Sequence, residues 1–294
     1  MPDWQLITKK IQQATQRPFQ LLDAHAVGGG CINSSYRLEG GNEDYFIKLN
    51  RPEMLPMFAA ESSGLEEMAH CAAVRVPGVI TCGTAGAHAF LVLQYFPLHS
   101  RSASSDRLLG QQLAQQHRQQ QAFFGWHQAN TIGSTPQLNP RCPDWITFWR
   151  EQRLAFQLQL AAGHGHSGSL QKNGERLCAG LHAFFSDYTP QPALLHGDLW
   201  SGNAAADAQG QPVIYDPACY YGDREADVAM TELFGGFSND FYAAYNESYA
   251  LDPGYAVRKS LYNLYHVLNH LNLFGGGYRR QAEALQEQLL AELG

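Results

Sequence analysis

The sequence predicts an α+β chain of two lobes, a smaller strand-rich lobe followed by a larger helical one. In the first hundred residues, apolar strands are separated by Gly-rich turns, with one helix between them. After Pro97 the apolar residues recur at the three- and four-residue spacing of amphipathic helices. With 294 residues the chain is long enough for two domains. We place the boundary between them at residues 96 and 97, giving lobes of 1–96 and 97–294.

The first lobe begins with residues 4–16, whose apolar spacing predicts an amphipathic helix. Residues 26–50 predict a Gly-rich turn, a strand through Tyr36, a Gly-Gly-Asn turn and the strand "YFIKLN". Residues 57–73 predict the helix of this lobe. The uninterrupted apolar run "FLVLQYF", residues 90–96, predicts a buried strand that leads out of the lobe.

The second lobe is predicted to be mainly helical. A long loop rich in Gly, Pro, Asn and Thr occupies residues 125–144. Helices are expected at 104–120, 144–162, 170–186, 223–234, 255–274 and 279–292.

Charge and composition restrict which kinds of binding partner and which cellular compartment we expect for this protein. The formal net charge is −7, and no basic stripe suggests a nucleic-acid partner. No apolar run approaches the roughly 18 residues of a membrane span, and the first residues lack the layout of a signal peptide. The six cysteines form no C-x-x-C pair. We therefore expect a cytoplasmic protein with free thiols and no membrane association.

The stretch "LLHGDLWSGN", residues 194–203, contains the first candidate chemical group. A strand ends near His196, and a hairpin returns through "PVIYD" to Asp216. Because a hairpin brings its two ends together, Asn203 and Asp216 should lie side by side, with Asp198 on the adjoining loop. Oxygen ligands from few side chains, with room for phosphates, suit Mg²⁺.

A buried lysine in the first lobe supplies the second group. Lys48 lies inside the apolar strand "YFIKLN" and needs a partner there. Glu61 on the next helix is the expected partner, with Glu66 and Glu67 as alternatives on another helix face. The glycines of the preceding turn allow a backbone to approach phosphates, and the end of the buried strand predicts an adenine-binding hinge. These nucleotide-binding candidates are Gly28, Gly29, Gly30, Gln94, Tyr95 and Phe96.

Together these groups resemble the phosphotransfer site of protein kinases, in which an aspartate accepts the hydroxyl proton and Asn and Asp hold metal. Gly197 stands where protein kinases have arginine, and "DPA", residues 216–218, where they have D-F-G. The residues used for activation-loop switching are thus missing, which favours a small-molecule kinase.

The motifs "GGGCINSSYRL", "FIKLNR", "LLHGDLWSGN", "IYDPACYYGDREADVAM" and "LFGGF" resemble the fructosamine kinase (ketosamine kinase) family, from about residue 20 to 280. The resemblance implies a bilobal protein-kinase-like fold that transfers the γ-phosphoryl group of ATP to the C3 hydroxyl of a ketosamine sugar. The phosphorylated product falls apart and returns the amine, so the activity is deglycation. The substrate would be a small-molecule or glycated-protein ketosamine, with ATP and Mg²⁺.

The resemblance also implies roles for individual residues. Asp198 is the proton acceptor, and Asn203 and Asp216 hold Mg²⁺. Lys48 and Glu61 orient the nucleotide phosphates. Three further residues are candidates for substrate contact: Trp200, His270 and Asp223.

Some residues keep two interpretations. The cluster around Asp223 at a helix start has either a capping and ion-pairing role or a substrate role. His196 suits a structural hydrogen bond better than general-base catalysis. Trp200 is either core or a pocket wall. Cys31, in the Gly-rich turn, is a candidate redox thiol because amide groups and Lys48 nearby would lower its pKa.

Two rival functions remain open. One is a kinase for another hydroxyl, such as an aminoglycoside or an amino alcohol; for polycationic aminoglycosides this predicts a strongly acidic substrate pocket. The other is an ATP-binding regulatory pseudokinase, although the chain carries all the expected phosphotransfer residues.

Overall fold

The computed structural model describes residues 2–28 and 32–293. Its first part is a five-stranded antiparallel sheet. The strands are β1 (Leu21–Val27), β2 (Ser34–Gly40), β3 (Tyr45–Asn50), β4 (Val79–Ala85) and β5 (His88–Gln94). Their order in the sheet is β1-β2-β3-β5-β4. Two helices accompany the sheet, α1 (Trp4–Thr15) and α2 (Leu55–Cys71).

The two faces of the sheet pack against different partners. Ile47 belongs to a small core that α1 completes with Ile7 and Ile11, all three fully buried. Because side chains alternate along a strand, the neighbouring Lys48 points to the opposite face. There its cross-strand partner Leu91 packs in the main core together with α2. This alternation turns the lysine toward α2.

The second part is mainly helical. The helices are α3 (Ala103–Gln116), α4 (Trp145–Trp149), α5 (Phe156–Gly163), α6 (Ser169–Gly180), α7 (Glu225–Leu233), α8 (Asn239–Ser248), α9 (Tyr255–Phe274) and α10 (Gly277–Ala291). A turn of 3₁₀ helix (Leu181–Phe185) extends α6, and one wider turn (Arg150–Ala155) joins α4 to α5.

Short strand pairs shape the segment between α6 and α7. β8 (Ala193–Leu195) pairs with β11 (Tyr220–Gly222), and β9 (Ala204–Ala206) pairs with β10 (Pro212–Ile214). The loop after β8 and the segment before β11 are therefore brought together. A further hairpin, β6 (Asn130–Ile132) with β7 (Thr135–Gln137), approaches α2.

The predicted order of a sheet followed by helices is observed, and several details of the prediction are wrong. The strand expected at 90–96 ends at Gln94, so the next two residues lie beyond it. The predicted loop 125–144 contains the β6–β7 hairpin. Strand β4 and helix α8 were not predicted as elements. The predicted domain boundary at 96/97 falls in the segment between β5 and α3.

Within the described residues, no helix combines the length and apolar character needed to cross a membrane.

Candidate active site

A cavity of about 470 Å³ lies where the sheet meets the helical part. Both parts of the chain line it, and they include the predicted phosphotransfer residues: Lys48, Glu61, Asp198, Asn203 and Asp216. Side chains separated by as many as 168 positions in the chain are thus gathered around one space.

A glycine brings the loop after β8 against the segment that follows Asp216. Gly197 has a φ of +81°, and a Cβ at this position would lie 2.1 Å from the carbonyl oxygen of Ala218. No larger residue fits this contact. The amide of Ala218 donates a hydrogen bond of 2.8 Å to the carbonyl of His196. The glycine in "HGD" therefore allows Asp198 and Asp216 to approach one another.

The ring of His196 has a structural role, as the sequence favours. Its Nε2 donates to the carbonyl of Tyr215 at 2.9 Å, and its Nδ1 accepts from the amide of Asp198 at 3.2 Å. The side chain is fully buried, and burial lowers the pKa of His196. A neutral ring with both nitrogens occupied is poorly suited to be the general base.

Asp227, at the start of α7, holds the backbone of the same loop. Its Oδ2 accepts from the amide of His196 at 2.7 Å, and its Oδ1 accepts from the amide of Gly197 at 2.8 Å. His117, which follows the last residue of α3, adds a contact at 3.2 Å. Burial would raise the pKa of Asp227, but the contact with His117 and the other hydrogen bonds outweigh it and lower the pKa. A buried carboxylate thus fixes the residues just before Asp198.

Asn203 is oriented by Asp198. Its Nδ2 donates to the Asp198 carbonyl at 2.9 Å and to Asp198 Oδ2 at 3.2 Å. Both contacts use the amide nitrogen, so the Asn203 Oδ1 is left for another ligand.

Lys48 is held between two carboxylates. Its Nζ lies 2.6 Å from Glu61 Oε1 and 2.6 Å from Asp216 Oδ1. Burial would lower the pKa of Lys48, but Asp216 and Glu61 outweigh it and raise the pKa. Burial raises the pKa of Glu61, and Lys48 opposes that effect. The structure therefore pairs the lysine with the first of its three candidate partners.

The other two candidates on α2 have different surroundings. Glu67 accepts hydrogen bonds from the Trp126 indole at 3.0 Å and from the Tyr221 hydroxyl at 2.8 Å. Glu66 is exposed. Glu67 thus ties α2 to the helical part while Glu61 faces the cleft.

Asp216 has a backbone conformation that few residues adopt. Its φ is +58°, in the left-handed region that aspartate tolerates better than most side chains. Such conformations are concentrated at functional sites, where the surrounding structure imposes them.

The electrostatic surroundings of Asp198 favour proton uptake. Burial raises its pKa well above the ordinary value, and the negative charge of Asp216 adds to the effect. Its contact with Asn203 acts in the opposite direction. A carboxylate in such a place is a stronger base than one in water.

The oxygen atoms around the cleft fit a magnesium ion. Asn203 offers Oδ1, and Asp216 has a second carboxylate oxygen beyond the one that Lys48 contacts. In the part of the chain that the structure describes, no three His, Cys, Asp or Glu side chains cluster as a metal site. Two protein oxygens suffice for Mg²⁺, since phosphates and water complete its shell.

Arg101 was missed by the sequence reasoning, and it supports the loop that carries Asn203. Its guanidinium donates to the carbonyls of Ala204 at 2.7 Å and Ser201 at 3.3 Å. Asp106 pairs with it at 2.6 Å. Contacts to backbone carbonyls leave no pattern of residue types, so the sequence gives little signal for this role.

Trp200 and His270 both line the cleft, as expected of substrate candidates. The Trp200 indole covers the backbone of Gly202, where a Cβ would lie 2.3 Å from the ring. It is 37% exposed, so it forms a wall and not core. Phe234, missed as a site residue although it lies in the quoted "LFGGF", packs against both rings.

Asp223 does not contact the cleft, so its expected substrate role is corrected. The side chain is fully buried, and its carboxylate accepts from the hydroxyls of Tyr188 and Tyr262. Burial raises the pKa of Asp223, and the Tyr262 contact opposes this. The neighbouring Glu225 pairs with Arg258 at 2.8 Å. The alternative interpretation as a structural ion-pair cluster is therefore the better one.

The remaining nucleotide-binding candidates are not tested by this geometry. Gln94 is the last residue of β5, and its backbone N–H donates a hydrogen bond of 2.8 Å to the Gly78 carbonyl. Tyr95 and Phe96 follow it in the chain. Gly28 is exposed just after β1. Gly29, Gly30 and Cys31 lie outside the described residues. The other cysteines are free thiols: Cys71, Cys82, Cys142, Cys178 and Cys219.

Curated relatives of known name match nearly the whole of this chain. A probable ketoamine kinase of Synechocystis is 46% identical over 98% of this chain and 97% of its own length. A chloroplastic protein-ribulosamine 3-kinase of Arabidopsis thaliana is 39% identical over 99% of this chain and 87% of its own length.

Solved structures share the fold. A crystal structure from Haemophilus somnus 129PT, provisionally assigned as a fructosamine-3-kinase, is 28% identical with a TM-score of 0.90, over 98% of this chain and 97% of that one. The structure of aminoglycoside phosphotransferase APH(4)-Ia is 14% identical in sequence, with a TM-score of 0.63 over 99% of this chain and 97% of that one. At this identity the likeness shows a shared fold alone. The predicted bilobal protein-kinase-like α+β fold is confirmed.

The model of the fructosamine kinase family matches residues 3–292. This match spans nearly the whole chain, including every described cleft residue. The chain therefore belongs to the fructosamine kinase family.

Proposed function

We propose that this protein is an ATP-dependent kinase that phosphorylates the C3 hydroxyl of the sugar in ketosamines. The observation that carries the proposal is the convergence of Lys48, Asp198, Asn203 and Asp216 on one cleft. The relatives' names, ketoamine kinase and protein-ribulosamine 3-kinase, support the acceptor class. Release of the amine from the unstable product would make the activity a deglycation.

In the proposed reaction, the acceptor hydroxyl oxygen forms a bond to the γ-phosphorus while the bond from that phosphorus to the β–γ bridging oxygen breaks. Asp198 takes the hydroxyl proton, and ADP leaves with the bond's electron pair. The raised pKa of Asp198 suits it to this step. Lys48, fixed by Glu61, places positive charge beside the phosphates.

Asn203 and Asp216 would hold Mg²⁺, which, when bound, neutralises phosphate charge as it develops. Gln94, Tyr95 and Phe96 would bind adenine, and the Gly-rich turn from Gly28 to Gly30 would approach the phosphates. Cys31 remains a candidate redox thiol of that turn. We also propose a cytoplasmic location, which the free thiols support.

The aminoglycoside alternative is less favoured because its acidic substrate pocket is missing from the described cleft. The acidic cluster around the start of α7 is buried instead and has internal partners; its residues are Asp223, Glu225 and Asp227. The carboxylates that do line the cleft belong to the phosphotransfer group.

The test is ADP release from ATP and Mg²⁺ with four acceptors: ribulose-lysine, fructose-lysine, kanamycin and choline. We expect turnover on a ketosamine and its loss in Asp198→Asn. The phosphorylated sugar should also release free lysine. Turnover on kanamycin or choline alone would overturn the acceptor class. ATP binding without turnover on any acceptor would favour the regulatory pseudokinase.

A further inference from the structure

Two backbone carbonyls that follow Asp216 are held by side chains of the β6–β7 hairpin. The Nδ2 of Asn130 donates to the Cys219 carbonyl at 2.7 Å. The Nε2 of Gln137 donates to the Ala218 carbonyl at 3.1 Å. Asn130 and Gln137 are paired across the hairpin, so both side chains lie on the same face of it. One hairpin thereby holds consecutive peptide groups just beyond a carboxylate that we expect to hold Mg²⁺.

The Gln137 amide is fixed in one orientation. Its Nε2 also donates to Asn130 Oδ1 at 2.8 Å, so both of its N–H groups are used. Its Oε1 accepts a hydrogen bond of 2.7 Å from the Tyr265 hydroxyl. Turning the amide over would point its oxygen at two other oxygens, those of Ala218 and Asn130. The contacts therefore direct the amide donors of Gln137 toward the Ala218 carbonyl.

The hairpin is itself anchored to the helical part. Asn139, just beyond β7, donates to Asn130 Oδ1 at 3.0 Å, and Arg153 donates to Asn139 Oδ1 at 2.7 Å. Asn269 of α9 donates to the carbonyl of Ile132 at 3.3 Å. The side chains of Asn130, Asn139 and Arg153 lie in residues that are at most 8% exposed. Because paired buried polar groups make a segment rigid, the hairpin can serve as a fixed support.

Asp216 needs support on both sides because of its backbone conformation. A φ of +58° in a residue with a side chain is maintained by the contacts around it. On the preceding side, the His196 ring donates to the carbonyl of Tyr215. On the following side, the hairpin supplies the contacts to Ala218 and Cys219. The backbone around Asp216 is thus held by two separate elements.

We infer that Gln137 is a positioning residue for Mg²⁺, whose amide holds Asp216 in its metal-binding conformation through the Ala218 carbonyl. This inference rests on the role in Mg²⁺ binding that the proposed function assigns to Asp216. Gln137 is 1% exposed and is not among the described residues that line the cleft. Its effect on the metal is therefore indirect.

Loss of the amide should give the segment after Asp216 access to other conformations. A buried carbonyl without a partner costs free energy, so Ala218 would gain by moving toward another donor or water. The fraction of molecules with Asp216 in the metal-binding conformation would then fall. The apparent affinity for Mg²⁺ falls by the same factor as that fraction.

The test measures how much Mg²⁺ tightens the binding of ADP, by titration calorimetry with Mg²⁺ and with EDTA. The ratio of the two dissociation constants reports on the metal site without turnover and without an acceptor. We expect this ratio to fall about fivefold in Gln137→Met, the equivalent of one hydrogen bond. The Kd for ADP in EDTA should change little, because Gln137 does not contact the nucleotide site directly.

Gln286→Met is the matched control. Gln286 of α10 is also fully buried, and its Nε2 also donates to a backbone carbonyl, that of Leu170 at 3.0 Å. Both variants should be less stable than the wild type, but Gln286→Met should keep the wild-type ratio. An unchanged ratio in Gln137→Met, or an equal fall in the control, would overturn the inference. A wild type in which Mg²⁺ does not tighten ADP binding would overturn it as well.

Tyr265→Phe decides the question should Gln137→Met fail to fold. It removes the hydroxyl that orients the Gln137 amide and keeps the ring that packs against Trp149. We expect the ratio to fall about threefold, near the lower end for one hydrogen bond, and a wild-type ratio would overturn the inference. None of these measurements uses an acceptor. Absence of turnover on every ketosamine would therefore remove the proposed acceptor class, while the ADP ratio still decides the role of Gln137.

Discussion

Two groups of carboxylates in this chain look alike in sequence and have opposite surroundings. The cleft group comprises Glu61, Asp198 and Asp216, which gather around Lys48 and line an open cavity. The buried group comprises Asp223, Glu225 and Asp227, whose side chains are at most 1% exposed.

The partners of the two groups explain the difference. In the cleft group, oxygen atoms remain available to a ligand, and burial of Asp198 raises its pKa. In the buried group, the described contacts are tyrosine hydroxyls, backbone amides, His117 and Arg258. The first group is therefore arranged for chemistry, whereas the second group is paired inside the fold, where Asp227 also holds the backbone of the loop that carries Asp198.

Asp198→Asn should have the largest effect on turnover. Without the proton acceptor, kcat should fall about a thousandfold, within the range of general-base contributions. The free energy of unfolding should not fall, because the substitution removes a half-buried charge next to Asp216. Rapid-quench kinetics and urea unfolding measure the two quantities. A variant that keeps near wild-type turnover would assign the proton to another group.

Arg258→Met should have the largest effect on stability. It leaves Glu225 and Asp252 without their shared guanidinium, and Glu225 is completely buried. Removing one partner of a buried pair costs about 3–5 kcal/mol. The activity of the protein that remains folded should be kept. Adding Glu225→Leu should recover part of the lost stability, and a failure to do so would argue against an uncompensated charge as the cause.

Asp227→Asn should lower both turnover and the free energy of unfolding, because this residue joins the two groups of carboxylates. One charge-assisted acceptor for the backbone amides of His196 and Gly197 is lost, at a cost of about 1–3 kcal/mol. The loop carrying Asp198 should shift, and kcat should fall about ten- to a hundredfold. Unchanged kcat in the folded variant would separate Asp227 from the positioning of Asp198. Because Lys48 is untouched, KM for ATP should change little.

Of the four substitutions, Arg101→Lys should have the smallest effect on activity. Its effect should be confined to the loop that carries Asn203. A lysine cannot contact both carbonyls and Asp106 in the same fixed geometry. We expect the Mg²⁺ concentration for half-maximal activity to rise about fivefold, the equivalent of one hydrogen bond of about 1 kcal/mol.

Arg107→Lys is the matched control for that experiment, since Arg107 pairs with Glu247 at the surface with half of its side chain exposed. It should leave the Mg²⁺ dependence unchanged. An equal response of both variants would show that the Arg101 contacts do not set the Mg²⁺ dependence.

The contacts predictable from the sequence were those with a periodic or hairpin origin. Lys48 faces α2 because strand positions alternate. Asn203 and Asp216 line the same cleft because a hairpin returns the chain. Contacts to backbone atoms, such as those of Arg101 and Asp227, have no such pattern. Asp223 was assigned wrongly because its place in a motif says nothing about burial.

Fold elements were missed for related reasons. Strand β4 is a half-buried edge strand without the clear alternation of a two-faced strand. The β6–β7 hairpin has strands of three residues, too short for a periodic signal. The β5 strand was placed two residues too far along, because the apolar run continues past the last pairing at Gln94.

The most direct test of the division between the groups compares Asp198→Asn with Asp223→Asn in two assays, turnover per folded molecule and free energy of unfolding. We predict that Asp198→Asn loses turnover and keeps stability. Asp223→Asn should lose stability and keep turnover. A stably folded Asp223→Asn protein without activity, or an active Asp198→Asn protein, would contradict the account.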